Sequence, residues 1–284
     1  MSEISYGDII TNALKKDAFS KRSLPMIGLS ILGALIITSV WFFFLEYLIE
    51  NFRVITMSPQ IMLLELLPWG LLIFLLIIIL SVLELFVEGI IIKQVGEDAI
   101  GKQVSLMDAL DFTKGKILSL VGATLLIVFV SFFFGLVSIV PYVGSVLNFI
   151  VSILIALAVF VTYPYIILGE NGAIDSISAS IHHFMENKSQ VFIVWLLSTV
   201  VSLIAILIFA VPFVIAIILF VSQTIGLSPP DLLFPPDILS HVRASMPIFL
   251  IPILILAVGG ALITVFQYGV MARYYAEAIL ENNT

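Results

Sequence analysis

The side chains best placed to do chemistry form a polar stripe on an otherwise apolar segment. Glu84 and Glu88 are four residues apart, so both lie on one face of a helix, and Ser81 lies one turn before them. An ionised carboxylate at the centre of a bilayer costs on the order of 2.5–3.5 kcal/mol, so such groups usually face other helices, a water-filled cavity or a partner. Two neighbouring carboxylates also repel each other, which favours binding of a proton or a cation. The spacing therefore predicts an intramembrane polar site at Ser81, Glu84 and Glu88.

A second interpretation places the same carboxylates at the edge of the membrane. The apolar run that contains them extends from Ile61 to Ile92, which is about 48 Å at helical rise. The hydrocarbon core of a bilayer is only about 30 Å thick. Glu84 and Glu88 would then approach the interface near Lys93, where a charge costs little. The sequence alone leaves both interpretations open.

Other residue types that catalyse reactions or bind metals are sparse. The chain has no cysteine and three histidines, which excludes a thiolate metal site and a cysteine nucleophile. His182 and His183 are consecutive and point about 100° apart on a helix, so they cannot bind one metal ion together. No hydrolase, protease or nucleotide-binding motif occurs. We therefore predict no catalytic residue, no cofactor, no metal site and a protein that is not an enzyme.

The segments that carry these side chains are long enough to span a membrane. The chain is 61% hydrophobic and 11% charged, whereas soluble domains are about 45–50% apolar and about 25% charged. Six apolar runs reach the roughly 20 residues that a spanning helix needs, and their continuity favours helices over a barrel. The runs are Leu24–Phe44, Ile61–Leu83, Ile117–Val140, Val146–Leu168, Val191–Phe220 and Met246–Met271. The sequence thus predicts an all-α integral membrane protein with six transmembrane helices, as one membrane domain over residues 1–284.

The distribution of lysine and arginine predicts the orientation of these helices. The twelve cations are divided unequally between the two sets of loops. One set carries Lys15, Lys16, Lys21, Arg22, Lys93, Lys102, Lys114, Lys116, Lys188 and Arg273, and the other carries only Arg53 and Arg243. Cytoplasmic loops are enriched in cations. We therefore expect a multi-pass protein of the cell membrane with both its N-terminus and its C-terminus in the cytoplasm.

Three segments on the predicted cytoplasmic side resemble one another. Each has an acidic residue three positions after a serine or glycine, which is typical of a helix start. Apolar residues then recur at helical spacing, as Tyr6, Ile9, Ile10, Ala13 and Leu14, as Leu106, Met107 and Leu110, and as Ile174, Ile177, Ile181 and Phe184. Such a pattern favours an amphipathic helix at the membrane interface, although an ordinary loop with one helical turn is the alternative. The chain is predicted to contain three parallel repeats of an interfacial helix plus a transmembrane hairpin, at about residues 1–100, 101–170 and 171–284.

One stretch of the sequence carries a family resemblance. The segment from Gly89 to Leu110 joins the end of a hairpin, a small-residue turn and the next interfacial helix, and parts of it recur at Gly169–Ser180 and Gly269–Tyr275. This pattern resembles the polytopic membrane domain of glycerophosphoryl diester phosphodiesterases and its stand-alone relatives in bacteria and archaea. The resemblance implies a lipid-facing membrane module. The sequence has no counterpart of the catalytic barrel, so the resemblance does not imply phosphodiesterase activity.

Together these patterns predict a non-enzymatic membrane module that organises lipids or partner membrane proteins. The expected partners are membrane lipids, other membrane proteins or a second copy of the chain. The net charge of −7 gives no reason to expect a nucleic-acid partner. The alternative function is a small-solute or ion transporter or channel that uses Glu84 and Glu88. Parallel repeats favour it less, because many secondary transporters contain inverted repeats.

Overall fold

The computed structural model describes residues 5–51, 59–139, 143–225 and 235–280, which form helices and no strand. The helices are α1 (Tyr6–Asn12), α2 (Leu24–Glu50), α3 (Pro59–Ala99), α4 (Leu106–Gly135), α5 (Val143–Ala158), α6 (Thr162–Ile167), α7 (Ala173–Glu186), α8 (Lys188–Ile225) and α9 (Pro235–Tyr275). Two π-helical segments, Ala13–Ala18 and Ala276–Leu280, directly follow α1 and α9.

Six segments of the described chain are long and apolar enough to cross a membrane. They are Lys21–Leu48, Leu64–Ala99, Leu106–Ser138, Val143–Ile167, Lys188–Ser222 and Pro247–Leu280. Each contains most of one of the six apolar runs that the sequence predicts. The chain is therefore an all-α, multi-pass membrane protein, and this prediction is confirmed.

The second predicted interfacial helix is not a separate element. The Ser105 hydroxyl caps α4 by accepting a hydrogen bond from the Asp108 amide at 3.2 Å, as the sequence predicts. From there α4 continues without a break to Gly135. Ala109 and Thr113 are fully buried and four residues apart, so one packed face continues through the polar segment and keeps it helical.

A helix, α1, occupies the first predicted interfacial segment, but its apolar stripe packs against the protein. Ile9 and Ala13 are fully buried and belong to a hydrophobic cluster with Val270 and Tyr274 of α9. Their burial removes them from any contact with lipid. Ser5 makes no side-chain capping bond to α1, so the predicted hydroxyl cap is absent at this helix.

The chain divides into two compact units, which are described separately. The first unit comprises Met1–Met26, Glu84–Leu203 and Leu262–Thr284, and it contains α1, α4, α5, α6, α7 and the cluster around Tyr274.

The second unit comprises Ile27–Leu83 and Ile204–Ala261. Within it, α8 approaches α9 closely at Gly259, where an added Cβ would lie 2.6 Å from the Cβ of Phe209. Real Cβ atoms do not approach that closely, so glycine permits this contact.

Candidate functional site

The first unit buries one of the predicted carboxylates, Glu88, at the point where α3 meets its neighbours. Next to it on α3, a Cβ at Gly89 would lie 2.6 Å from Thr113 of α4, so the missing side chain lets the two helices touch. Gly96 makes a similar contact with Leu168. This close packing leaves Glu88 only 7% exposed.

A series of polar side chains from three other helices begins beside Glu88. The hydroxyl of Tyr268 on α9 lies close to the carboxyl group of Glu88 and interacts with it. The ring of Tyr268 lies 5.9 Å from that of Tyr163 on α6, whose hydroxyl is 2.8 Å from the hydroxyl of Thr124 on α4. The second carboxyl oxygen of Glu88, Oε2, has no hydrogen-bond partner among the described residues. We call Glu88, Thr124, Tyr163 and Tyr268 the polar cluster.

The other predicted site residues, Ser81 and Glu84, have exposed side chains on α3. Helical periodicity places them on the same stripe as Glu88. Glu84 lies about 6 Å from Glu88 along the helix axis. The neighbouring helices cover the stripe at Glu88 but not at Glu84 or Ser81. Of the three predicted site residues, only Glu88 is buried.

The first unit also contains a charge network that the sequence does not predict. The guanidinium group of Arg273 binds both carboxylate oxygens of Asp17, at 2.8 and 2.9 Å. Arg22 contacts Asp17 and Asp98, each at 3.0 Å, and Arg273 also reaches Asp98 at 3.3 Å. A Cβ at Gly269 would lie 3.1 Å from Asp17, so glycine gives the carboxylate room beside α9.

This charge network joins three parts of the chain that are distant in sequence. Asp17 and Arg22 lie before or at the start of α2, Asp98 lies at the end of α3, and Arg273 lies at the end of α9. Two arginines and two aspartates balance each other, which compensates the cost of burying Asp17 and Arg273. The four side chains carry no net charge together, and they hold the helix ends in place. Each charged group among them is paired, so the network offers no free charge to a substrate.

Helix α7 packs its polar side against the protein. Ser176, Ser180 and His183 are buried, whereas Ile174 and Ile181 are exposed. This distribution matches the predicted apolar stripe only in part, because Phe184 packs against the buried cluster around Tyr274.

The buried serine at position 180 completes the backbone hydrogen bonding of a neighbouring helix break. Its hydroxyl donates to the Ala158 carbonyl at 2.8 Å and accepts from the Val161 amide at 3.3 Å. These two groups lie where α5 ends and before α6 begins. Pro164 in α6 has no amide hydrogen, so it fits the first turn of a new helix better than a helix interior.

The two neighbouring histidines have different surroundings, as their spacing predicts. Nε2 of His183 is 3.0 Å from the hydroxyl of Tyr274, whereas exposed His182 pairs with Glu186 at 3.1 Å. Burial lowers the pKa of His183 below its ordinary value, and the nearby carboxylate of Glu186 opposes that shift in part. His183 therefore favours the neutral form.

An apolar groove in the first unit is lined by α4, α5 and α7. Its volume is about 510 Å³. The side chains that line it include Leu126, Val130, Ile155, Val159, Ile177 and Ile181. Ser178 is the one polar residue of the lining, so the groove suits a hydrocarbon chain and offers little to a charged solute.

The described residues contain no group of three or more His, Asp or Glu side chains that could hold a metal ion.

The sequence did not predict the charge network or the buried polar side of α7, and it predicted Glu88 as a site residue without the neighbouring tyrosines. The helical spacing of Ser176, Ser180 and His183 could have predicted that α7 has a polar side.

Comparison with known proteins finds no relative of this chain. No family model, no curated protein and no solved structure matches the chain. The resemblance to the membrane domain of glycerophosphoryl diester phosphodiesterases therefore stays a prediction from the sequence. The established classification is that of an all-α, multi-pass membrane protein.

Proposed function

We propose that this protein is a non-enzymatic membrane module that holds lipid acyl chains in the groove between α4, α5 and α7. The observation that carries the proposal is the composition of that groove, which is apolar except for Ser178. Its volume of about 510 Å³ falls within the roughly 300–1,000 Å³ of typical ligand pockets. Acyl chains are the apolar ligand that surrounds a membrane protein at the highest concentration.

The exposed side of α7 supports the same function. Ile174 is 72% exposed, and Ile181 and Met185 are also exposed, although α7 with 14 residues is too short to span a bilayer. A short helix with exposed apolar residues beside spanning helices is typical of the membrane interface. On this proposal α7 forms one wall of the groove and lies where acyl chains and headgroups meet.

The test is to fill the groove and to measure retained lipid. The Ser178→Trp variant places a large side chain in the lining at an exposed position, so the fold should tolerate it. Native mass spectrometry of the purified protein should then show fewer bound phospholipids than the parent. His182→Trp on the same helix is the control, because His182 is exposed and does not line the groove. Equal lipid retention in both variants would refute the proposal, and added protein mass would indicate a partner protein or a second copy at this face.

We further propose that the protein lies in the cell membrane with both termini in the cytoplasm. The unequal distribution of cations supports this orientation. The chain has no cysteine, so a single introduced cysteine is the only thiol in the protein that a reagent can label. Lys102→Cys should resist an impermeant thiol reagent in intact cells, and Glu50→Cys at the other end of the hairpin should react. Reversed labelling would contradict the orientation.

Transport of a small solute or an ion is a second candidate, and one observation favours it. The buried carboxyl group of Glu88 has an oxygen that no described residue hydrogen-bonds, and intramembrane carboxyl groups often mark ion pathways. In proteoliposomes, a proton or cation flux that Glu88→Gln abolishes would support transport. A flux of zero in the parent protein under the same gradients would contradict it.

A further inference from the structure

The polar cluster around Glu88 contains acceptors and hydroxyl groups but no cation. The titratable groups that face Glu88 are Glu84 on its own helix, Tyr163 on α6 and Tyr268 on α9. Helix α4 contributes the hydroxyl of Thr124, which contacts the hydroxyl of Tyr163. The nearest lysine along α3, Lys93, is paired with Glu97 at 2.8 Å and lies over the ring of Phe112.

An ionised carboxylate in this position would lack most of the partners that it needs. A buried carboxylate requires an opposite charge or several hydrogen-bond donors to compensate for lost hydration. The hydroxyl of Tyr268 is the donor group beside Glu88, and Oε2 of Glu88 has no hydrogen-bond partner among the described residues. The hydroxyl of Thr124 is already used, because it donates to the Leu120 carbonyl at 2.9 Å and contacts Tyr163.

The number of oxygen ligands argues against a metal cation as the missing partner. Hard cations such as Ca²⁺ take about six to eight oxygen ligands. The cluster offers the two carboxyl oxygens of Glu88 and the hydroxyl of Tyr268, while Thr124 and Tyr163 satisfy each other. A proton needs a single oxygen, and binding one removes the charge that burial opposes.

We propose that Glu88 is a proton-binding site, with the protonated acid as the form that occupies the polar cluster. The proton binds a carboxyl oxygen, and the hydroxyl of Tyr268 stays beside the carboxyl group. Release of the proton leaves a negative charge beside two tyrosines and one helical turn from Glu84, so release requires water or a cation to enter. This site goes beyond lipid binding and does not depend on it.

Infrared difference spectroscopy of the lipid-reconstituted protein between acidic and alkaline pH tests the proposal. The parent should show the carbonyl band of a protonated, water-shielded carboxylic acid. Glu88→Gln should remove that band, because the amide has nearly the same shape and does not titrate. Glu84→Gln is the matched control, one turn away on the exposed part of α3, and it should retain the band. A band that survives in Glu88→Gln, or that disappears in Glu84→Gln, would overturn the assignment.

A second measurement uses only the parent chain and therefore does not depend on how a variant folds. A hydrophobic carbodiimide reacts with protonated carboxyl groups in membranes, and peptide mass spectrometry locates the adduct. We expect modification at Glu88 that falls by at least several-fold as the pH is raised. Modification at Glu84 with none at Glu88 would refute the proposal, as would modification of Glu88 that is absent at every pH.

Discussion

Arg273 on α9 holds Asp17 through two parallel hydrogen bonds, from Nε at 2.8 Å and from Nη2 at 2.9 Å. The two residues are 256 positions apart in the chain, and both side chains are almost completely buried. A bidentate arginine–carboxylate pair is geometrically demanding, since both N–H groups must meet both oxygens. The pair therefore fixes the segment before α2 against the end of α9.

Breaking this pair should destabilise the protein strongly. Asp17→Asn leaves the buried guanidinium of Arg273 without its main counter-charge, and removing one member of a buried pair costs about 3–5 kcal/mol. Thermal unfolding in detergent should show a clearly lower midpoint. The control is Asp111→Asn, which breaks the exposed pair with Lys114 at 2.8 Å and should change stability by about 0–1 kcal/mol. Similar midpoints for both variants would show that the charge network does not hold the helix ends.

Two buried serines on α7 should respond differently to the same substitution. Ser180→Ala removes the hydroxyl that bonds the Ala158 carbonyl and the Val161 amide, and each buried group left without a partner costs about 1–3 kcal/mol. Ser176→Ala removes a buried hydroxyl that has no partner among the described residues, so it should be neutral or stabilising. Unfolding midpoints of the two variants, measured side by side, give the comparison. Equal effects would mean that Ser180 does not support the break between α5 and α6.

The stability of the protein should decrease as His183 is protonated. Burial lowers its pKa below the ordinary value of 6.5, so the unfolded state binds the proton more readily than the folded state. Stability from this residue is therefore fully present above pH 6.5 and is lost as the pH falls below that value.

The measurement is the unfolding midpoint as a function of pH, with two variants for comparison. His183→Gln should flatten the dependence in the mildly acidic range, because glutamine does not titrate. His182→Gln should leave the dependence unchanged, since His182 is exposed. A parent midpoint that is constant across this range would contradict the prediction.

Adjacent glycines on α9 should differ sharply in their tolerance of alanine. At Gly259 a Cβ would lie 2.6 Å from the Cβ of Phe209, whereas at Gly260 nothing lies within 4 Å. Gly259→Ala should destabilise by about 1–3 kcal/mol through overpacking, and Gly260→Ala should be neutral or stabilising.

A double variant tests the physical reason for that difference. Adding Phe209→Gly to Gly259→Ala removes the whole side chain that the new methyl group meets, including its Cβ, so Gly259→Ala should cost less in the Phe209→Gly background than alone. Additive losses in the double variant would show that Phe209 is not the cause.

The sequence predicts the helical class well because its signal is long and continuous. The apolar runs within α2, α8 and α9 are each sufficient to indicate a spanning helix, and Ser105 indicates the start of α4 through its own cap. The error at α4 has a local cause. Residues 111–116 are mostly polar, but they include no proline, so every residue there can donate its backbone amide to the helix.

Burial of individual side chains could not be predicted with the same success. Glu84 and Glu88 share a helical stripe, and only the packing of α4, α6 and α9 distinguishes them. Asp17 stands beside Lys15 and Lys16, which are much closer in sequence than Arg273, and its pairing depends on a π-helical turn and on the absence of a side chain at Gly269. Such long-range relationships require the assembled fold.

The break between α5 and α6 has a consequence for how the protein is made. Ala158 and Val161 lie inside a candidate span, Val143–Ile167, where lipid offers no hydrogen-bond partner to a backbone group. Their partner is Ser180, which is synthesised 22 residues after Ala158 and 19 after Val161. The fourth span therefore leaves the ribosome with two unmet backbone groups, and it becomes fully compatible with a bilayer only when α7 docks. We therefore expect insertion of this hairpin to be coupled to the docking of α7.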